Sequence, residues 1–445
     1  MLARILFISF IFVFSQQFFL LLPAVQAEQL QLDEAVEIAL TNHQRILQAQ
    51  ELYSASSASA AAAHRDRFPK LNFRASYDRL NDSPYQNIGQ HPLTVSDKNM
   101  VHYQISLEQP LFTGFTFSAR QKLADLNVDM ARYDLQQTRR LLALDIHTVA
   151  LQLLKAEAMQ RLAKQHQKQL TKHLEDIEEA YRQGMVPGND RLKAEVALAA
   201  AEQQLRTITI QANLSRSRLN LLIGRPQKNS LEIIEPQKIQ PVRQPLEQLI
   251  EIALQQRPEI RTAQLAIAAA DENIRLAHSN DYPQLALVAS YWRDGDDWSA
   301  SNNDYRNPDN ASIGLQLDWN LFSSGADSSR AAASQHRRRA QQQFLLETKD
   351  QIRLQVEEAY RQIDVAKDNG KTASKALEQA RENHRLSILQ FHENLISTSD
   401  LLAAQTLLTQ AEADLQTAHY GCLLAQAQLS FALGQDPLPD AKENN

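Results

Sequence analysis

The chain has 445 residues, a formal charge of −6, 11 glycines and one cysteine. Glycine at about a third of its usual share, beside abundant Ala, Leu and Gln, favours long helices over a turn-rich compact fold. The mildly acidic balance argues against a nucleic-acid partner, and Cys422 alone excludes an internal disulfide.

At the N-terminus "MLAR" supplies one positive charge, the apolar stretch "ILFISFIFVFSQQFFLLL" follows, and "PAVQA" ends in small residues. This pattern predicts a secretory signal over 1–27, cleaved after Ala27. Gln16 and Gln17 interrupt the run, which argues against an uncleaved anchor. No cysteine stands at the cleavage point to carry a lipid. Beyond residue 27 no apolar run of ~20 residues follows, so no membrane-spanning helix is expected.

The remainder reads as a duplicated unit. "LDEAVEIALTNHQRI" at 32–46 aligns with "LEQLIEIALQQRPEI" at 246–260, and the same offset of 214 places "FPKLNF" at 68–73 on "YPQLAL" at 282–287. Further on, one offset of 210 aligns Leu107 with Leu317, Tyr181 with Phe391, Asp190 with Asp400 and Gly224 with Gly434. The predicted domains are a first repeat over 28–224, a connector over 225–245, a second repeat over 246–434 and a tail over 435–445. Each repeat should hold a helix (about 30–66 and 246–280), a strand pair and a very long helix (about 115–183 and 324–392). A break and a shorter helix follow (about 190–222 and 400–432). The connector is rich in Pro and Gln, with one short strand at "LEII".

The strands alternate with a period of two, giving one apolar and one polar face. Leu71, Phe73 and Tyr77 share a face, as do Tyr103, Ile105 and Leu107, then Leu285, Leu287 and Tyr291, then Leu315, Leu317 and Trp319. An ordinary half-buried hairpin would also alternate. Strand lengths of ~9–11 residues, charged opposite faces and aromatic residues near the strand ends favour a membrane barrel, with the apolar set facing lipid. Four strands cannot close such a barrel, and open edges in lipid are forbidden, so a barrel compels oligomerisation. A dimer of eight strands fills its own interior, so a conduit favours a trimer of twelve.

The segment 115–183 would extend ~100 Å as a helix. Leu123, Leu126, Met130 and Tyr133, then Leu144, Leu151, Leu154 and Ala158, keep a 3/4 spacing, with Gln137, Arg140 and His147 also at seam positions. That is coiled-coil packing with polar interruptions. The helix breaks at "YRQGMVPGND" (181–190), whose duplicate is "FHENLISTSD" (391–400). Gly184, Pro187 and Gly188 suit the first reversal, and Asn394 replaces Gly184 in the second. Asn189 and Ser399 are the expected N-caps, with Asp190 and Asp400 where the helix dipole favours an acid. Both reversals should lie at the end of a helical tube farthest from the barrel.

Together, "FPKLNF" and "YPQLAL", "PLFTG" and "NLFSSG", the paired breaks with their following helices, and the ends "LNLLIGRP" and "LSFALGQDP" resemble the outer-membrane efflux proteins, the TolC-like trimeric channel-tunnels of Gram-negative bacteria. The resemblance covers roughly 30–435. It implies an α+β membrane protein: long antiparallel coiled-coil helices forming a periplasmic tunnel, and four strands per protomer in a 12-stranded trimeric outer-membrane barrel. It further implies an equatorial collar from the connector and tail. As partners it implies a periplasmic adaptor and an inner-membrane transporter of RND, ABC or MFS type. The chain would conduct efflux or type I secretion substrates passively. In such proteins the tip closes the tunnel and docks the adaptor. Carried onto this chain, that assigns docking to Gly184, Met185, Val186, Asn394, Leu395 and Ile396, and the gate to Asp190, Asp400, Tyr181 and Phe391. Some relatives lock the tip through a tyrosine–arginine–aspartate network. Phe391 and Ile396 occupy positions where such polar partners occur, so a lock here must be built differently or be weaker.

No catalytic, cofactor or metal constellation is expected. His166 and His173 are seven apart, the wrong spacing for a metal pair on a helix, and read as a solvated face. "RRR" at 337–339 reads the same way. The competing readings are an exported coiled-coil scaffold and a periplasmic adaptor, neither forming a channel.

Overall fold

A computed structural model describes residues 28–89, 91–236, 244–393 and 395–435. The expected signal segment, residues 237–243 of the connector, Asn394 and residues 436–445 of the tail lie outside the described residues. In chain order the elements are β1 (Glu28–Leu30), α1 (Leu32–Asn42), α2 (Gln44–Arg65), β2 (Lys70–Arg79), β3 (Tyr85–Ile88), β4 (His91–Thr94), β5 (Asn99–Thr113), α3 (Thr116–Arg182), α4 (Gly188–Leu222), β6 (Leu231–Ile233), α5 (Leu246–Gln256), α6 (Pro258–His278), β7 (Gln284–Gly295), β8 (Asp309–Asp318), α7 (Ala326–His392) and α8 (Thr398–Ala432). The long helices α3 and α7 each have 67 residues and the shorter α4 and α8 each have 35, so the duplication is kept in length as well as register.

Two compact units result, one within Leu47–Thr138 and Glu251–Leu354, the other within Met1–Ile46, Arg139–Ile250 and Gln355–Asn445. The first carries a four-stranded antiparallel sheet in the order β2-β5-β7-β8, so that the hairpins of the two repeats join through β5 and β7. β5 runs to 15 residues, longer than expected, and carries a bulge at Leu111. β3 and β4 form a separate small hairpin in the loop between β2 and β5.

At the strand-to-helix turns, both repeats place two successive residues at positive φ: Gly114 (60°) and Phe115 (70°), then Ser324 (53°) and Gly325 (80°). Each repeat thus supplies one glycine for two left-handed positions. At Gly114 the need is doubled, because a Cβ there would stand 2.4 Å from the carbonyl oxygen of Ser279.

The first helix of each repeat is not continuous, contrary to expectation. It breaks at His43 (φ −74°, ψ 134°) and at Arg257 (φ −70°, ψ 127°), which are duplicate positions. Pro258 excludes the helical conformation from Arg257. His43 has no proline after it; its Nδ1 instead accepts the backbone N–H of Arg45 at 3.1 Å.

The second unit is mainly helical. Leu142, Ile146, Leu151 and Leu153 of α3 are buried with Val356, Ile363 and Leu377 of α7, and Ala194, Ala201, Ala411 and Ala418 are buried on the shorter helices. The seam residues Leu151, Leu154, Ala158, Arg140 and His147 are also buried, whereas Leu144 is half-buried. The buried guanidinium of Arg140 donates to the Phe431 carbonyl at 2.5 Å and lies 4.9 Å over its ring, a cation at the C-terminal end of α8. The strand expected at "LEII" is β6, which pairs in parallel with β1. Asn220, fully buried, donates its amide to the carbonyls of Gln227 and Asn229 and so anchors the connector's start.

Candidate functional site

Two features stand apart from ordinary packing: an uncovered sheet face in one unit and a pair of helical reversals in the other.

On the sheet, register places the expected apolar residues on one face. Leu71 pairs with Leu107, Phe73 with Ile105 and Ile105 with Tyr291. Leu285 pairs with Leu317 and Leu287 with Leu315. Much of the face is left bare, with Leu71 71% exposed, Ile313 75% and Leu317 61%, while Tyr103, Leu285 and Leu287 are half-buried and Val101 is buried. Trp319 lies one residue beyond β8, where its indole N–H donates to the Asp281 carbonyl at 3.3 Å. Aromatic side chains bound this face at both ends. At one end Phe115 makes edge contacts with Phe112 and Tyr282. At the other, Trp298 stacks on Tyr77 at 5.1 Å, and its carbonyl accepts the Tyr103 hydroxyl at 2.8 Å. The opposite face carries Lys70, Arg74, Asp78, His102 and Glu108. β2 and β8 each pair on one side only, so two open edges flank the sheet.

At the reversals, α3 ends in a Schellman motif. Gly184, at φ 72°, donates to the Tyr181 carbonyl at 3.0 Å, and Met185 donates to that of Ala180 at 2.9 Å. The duplicate bond runs from Leu395 N–H to the Gln390 carbonyl at 2.8 Å. Asn394, one of the expected docking residues, lies outside the described residues. The expected N-caps are corrected. The caps are Pro187 and Ser397, two residues earlier than Asn189 and Ser399. Pro187 is favoured because its fixed φ suits the extended cap residue. Ser397 wins because only its spacing of three to Asp400 completes a capping box, with Ser397 N–H donating to Asp400 Oδ2 at 3.0 Å.

Met185 is 66% and Leu395 73% exposed, while Val186 and Ile396 are half-buried beside them. The candidate gate residues have separate partners. Tyr181 carries the Arg191 guanidinium over its ring at 5.4 Å. Phe391 meets the His173 ring at 5.7 Å. Asp190 Oδ1 lies 3.3 Å from Lys193 Nζ, which donates to Ser399 Oγ at 2.9 Å. Hydrogen bonds from the Ser397 hydroxyl and N–H, then the charge of Lys193, hold the Asp400 carboxyl below the usual carboxylate range. Lys193 therefore ties the two reversals together, and it is the residue sequence reasoning missed.

His166 and His173 are also corrected. Both are half-buried in helix contacts, His166 against Thr409 and His173 against Phe391. Among the described residues no cluster could hold a metal, and no helix is long and apolar enough to cross a membrane.

Comparison with known proteins follows the same lines. A family profile described as outer membrane efflux protein matches residues 35–225 and 249–435. The chain is 26% identical over 416 residues to the pyoverdine export outer membrane protein OpmQ of Pseudomonas aeruginosa, covering 90% of this chain and 82% of that one. It is 24% identical over 436 residues to the alkaline protease secretion protein AprF of the same organism, covering 94% and 87%. Its fold is similar to the crystal structure of the Campylobacter jejuni CmeC outer membrane channel, with a TM-score of 0.79 at 13% identity, over 92% of this chain and 87% of that one.

Proposed function

The chain belongs to the outer membrane efflux protein family, and on that premise we propose how copies of it make a conduit. It is an outer-membrane channel of the efflux or type I secretion kind. The observation that carries the mechanism is the bare apolar sheet face between two open edges. In lipid an unpaired edge leaves backbone groups without partners, so β2 and β8 must pair with other copies. Three copies supply twelve strands and a lumen lined by the polar face, whereas eight strands would fill themselves. The ten steps along β7 from Leu285 to Gly295 rise about 34 Å. At a tilt of ~40° that is roughly 26 Å of height, matching the apolar band of outer-membrane barrels.

The helices of three copies would continue the conduit through the periplasm, with the repeats at 28–224 and 246–434 and the connector between them. The reversals then form its entrance. Met185, Leu395, Val186 and Ile396, beside Gly184, offer an apolar surface to a periplasmic adaptor, which hands over cargo from an inner-membrane transporter. Asp190, Asp400, Tyr181 and Phe391 are the gate residues, with Lys193 added. OpmQ is named for pyoverdine export and AprF for protease secretion. The conduit proposed here accordingly carries cargo chosen by the transporter and performs no reaction on it.

The test is the mass of the detergent-solubilised complex from the outer-membrane fraction. Three chains per particle, dissociating on heating, is the expected result. A soluble periplasmic monomer would overturn the reading.

A further inference from the structure

Strands β2 and β7 are duplicates under the offset of 214, and over one five-residue stretch they differ at a single position. Residues 75–79 read ASYDR and residues 289–293 read ASYWR, so Trp292 stands where the first repeat has Asp78. The exchanged position lies on the polar face. Asp78 accepts the Ser76 hydroxyl at 3.4 Å along that side of β2. Trp292 pairs with Gln104 and Asn310. Two residues on along the same face, Asp294 Oδ1 lies 2.5 Å from His102 Nδ1.

The chain has three tryptophans. Trp298 stacks on Tyr77, and Trp319 donates to the Asp281 carbonyl. Trp292 is half-buried, and among the described residues its indole neither stacks on a ring nor makes a hydrogen bond. Packing within the chain therefore does not account for the exchange of a carboxylate for an indole.

The strand order β2-β5-β7-β8 sets β2 and β7 two places apart. When β8 of one copy meets β2 of the next, β2 and β7 alternate around the barrel. Three copies then place three Trp292 indoles and three Asp78 carboxylates in turn at one height, near the strand ends away from the helices. Twelve strands ~4.8 Å apart and tilted ~40° give a backbone ring ~24 Å across, which side chains from opposite walls narrow. Indoles and carboxylates share one ligand preference. A cation is drawn both to the aromatic face and to the negative charge, and an apolar body stacks on the indole.

We infer that Trp292 and Asp78 of three copies form a ring at the outer mouth that binds organic cations with an aromatic or apolar body in passage. This rests on the channel reading and adds to it a contact that discriminates among solutes.

The test uses the full-length trimer in planar bilayers, with benzyltrimethylammonium or benzenesulfonate added to one side and then the other. The cation should block the open channel reversibly, and the anion should not. Trp292→Leu and Asp78→Asn should each weaken the block several-fold, whereas Trp292→Phe, which keeps a ring face, should retain most of it. Unchanged block in either of the first two variants, equal block by the anion, or no block of the wild type overturns the ring while leaving the channel reading intact. If Trp292→Leu does not assemble, Asp78→Asn decides. A wild-type trimer that does not conduct overturns the channel reading and the ring with it.

Discussion

Lys193, one turn into α4, donates to Ser399 of α8 at 2.9 Å while standing 3.3 Å from Asp190. One side chain therefore links the two reversals that the duplication makes equivalent. Its duplicate position is Ala403, so the link exists once per chain and is directional. The pair with Asp190 is partly exposed, and such pairs contribute at most about 1 kcal/mol to stability. Its role lies in holding two turns together.

Lys193→Met should therefore leave assembly intact and loosen the entrance. The measurement is single-channel conductance of the trimer. A several-fold rise in resting conductance is expected, with Ser399→Ala giving a smaller rise in the same direction. Unchanged conductance in both would remove Lys193 from the gate.

The exposed apolar tip gives a second expectation. Met185→Asp and Leu395→Asp place charges where an adaptor's apolar surface would sit, at positions too exposed to matter for folding. Cross-linking to the adaptor should fall at least about tenfold, equivalent to ~1.4 kcal/mol, while trimer yield stays level. Undiminished cross-linking would relocate the docking surface.

On the sheet, Leu315→Arg should disrupt outer-membrane assembly, because an arginine on the lipid face near mid-height costs about 2–4 kcal/mol. Gln316→Arg, on the opposite face, should assemble normally and shift ion selectivity. Folding into vesicles, read by heat-modifiable mobility, separates the two. Equal tolerance of both would contradict the facing assigned to β8.

The turn after the sheet is testable by backbone substitution. Ser324→Gly relieves a left-handed non-glycine residue and should stabilise by about 1 kcal/mol. Gly114→Ala meets both a positive φ and a 2.4 Å approach to Ser279 and should destabilise by more than about 1–3 kcal/mol. Unfolding midpoints in urea with vesicles report both.

Buried His147 sets a pH dependence. It is 2% exposed, and burial lowers its pKa to about 4. A lowered imidazole pKa means the unfolded chain binds the proton first. Stability is therefore full above about 6.5 and falls as pH drops toward about 4, by roughly 3 kcal/mol in total. His147→Leu should flatten the melting temperature across that window; a variant as pH-sensitive as the wild type would contradict the assignment.

Much of this was legible because periodicity and duplication are long-range signals. A single offset of 210 located both reversals, and alternation assigned the sheet face from Leu71 to Leu317 correctly. Local choices were harder. "STSD" offers two serines before Asp400, and only the spacing of three distinguishes Ser397 from Ser399. The break at His43 carries no proline to announce it. His166 and His173, seven apart, cannot form an i,i+4 metal pair. Yet seven residues is the repeat of a coiled-coil seam, so the same spacing placed both rings in a helix interface. Lys193 was illegible because its partner Ser399 is 206 residues away and no duplicate echoes it.

The most direct measurement is conductance of the purified complex across a planar bilayer. Discrete, uniform steps from a heat-dissociable trimer are predicted, abolished by Leu315→Arg and retained by Gln316→Arg. A trimer that inserts without conducting, or conductance from a soluble monomer, would contradict a conduit closed by three copies.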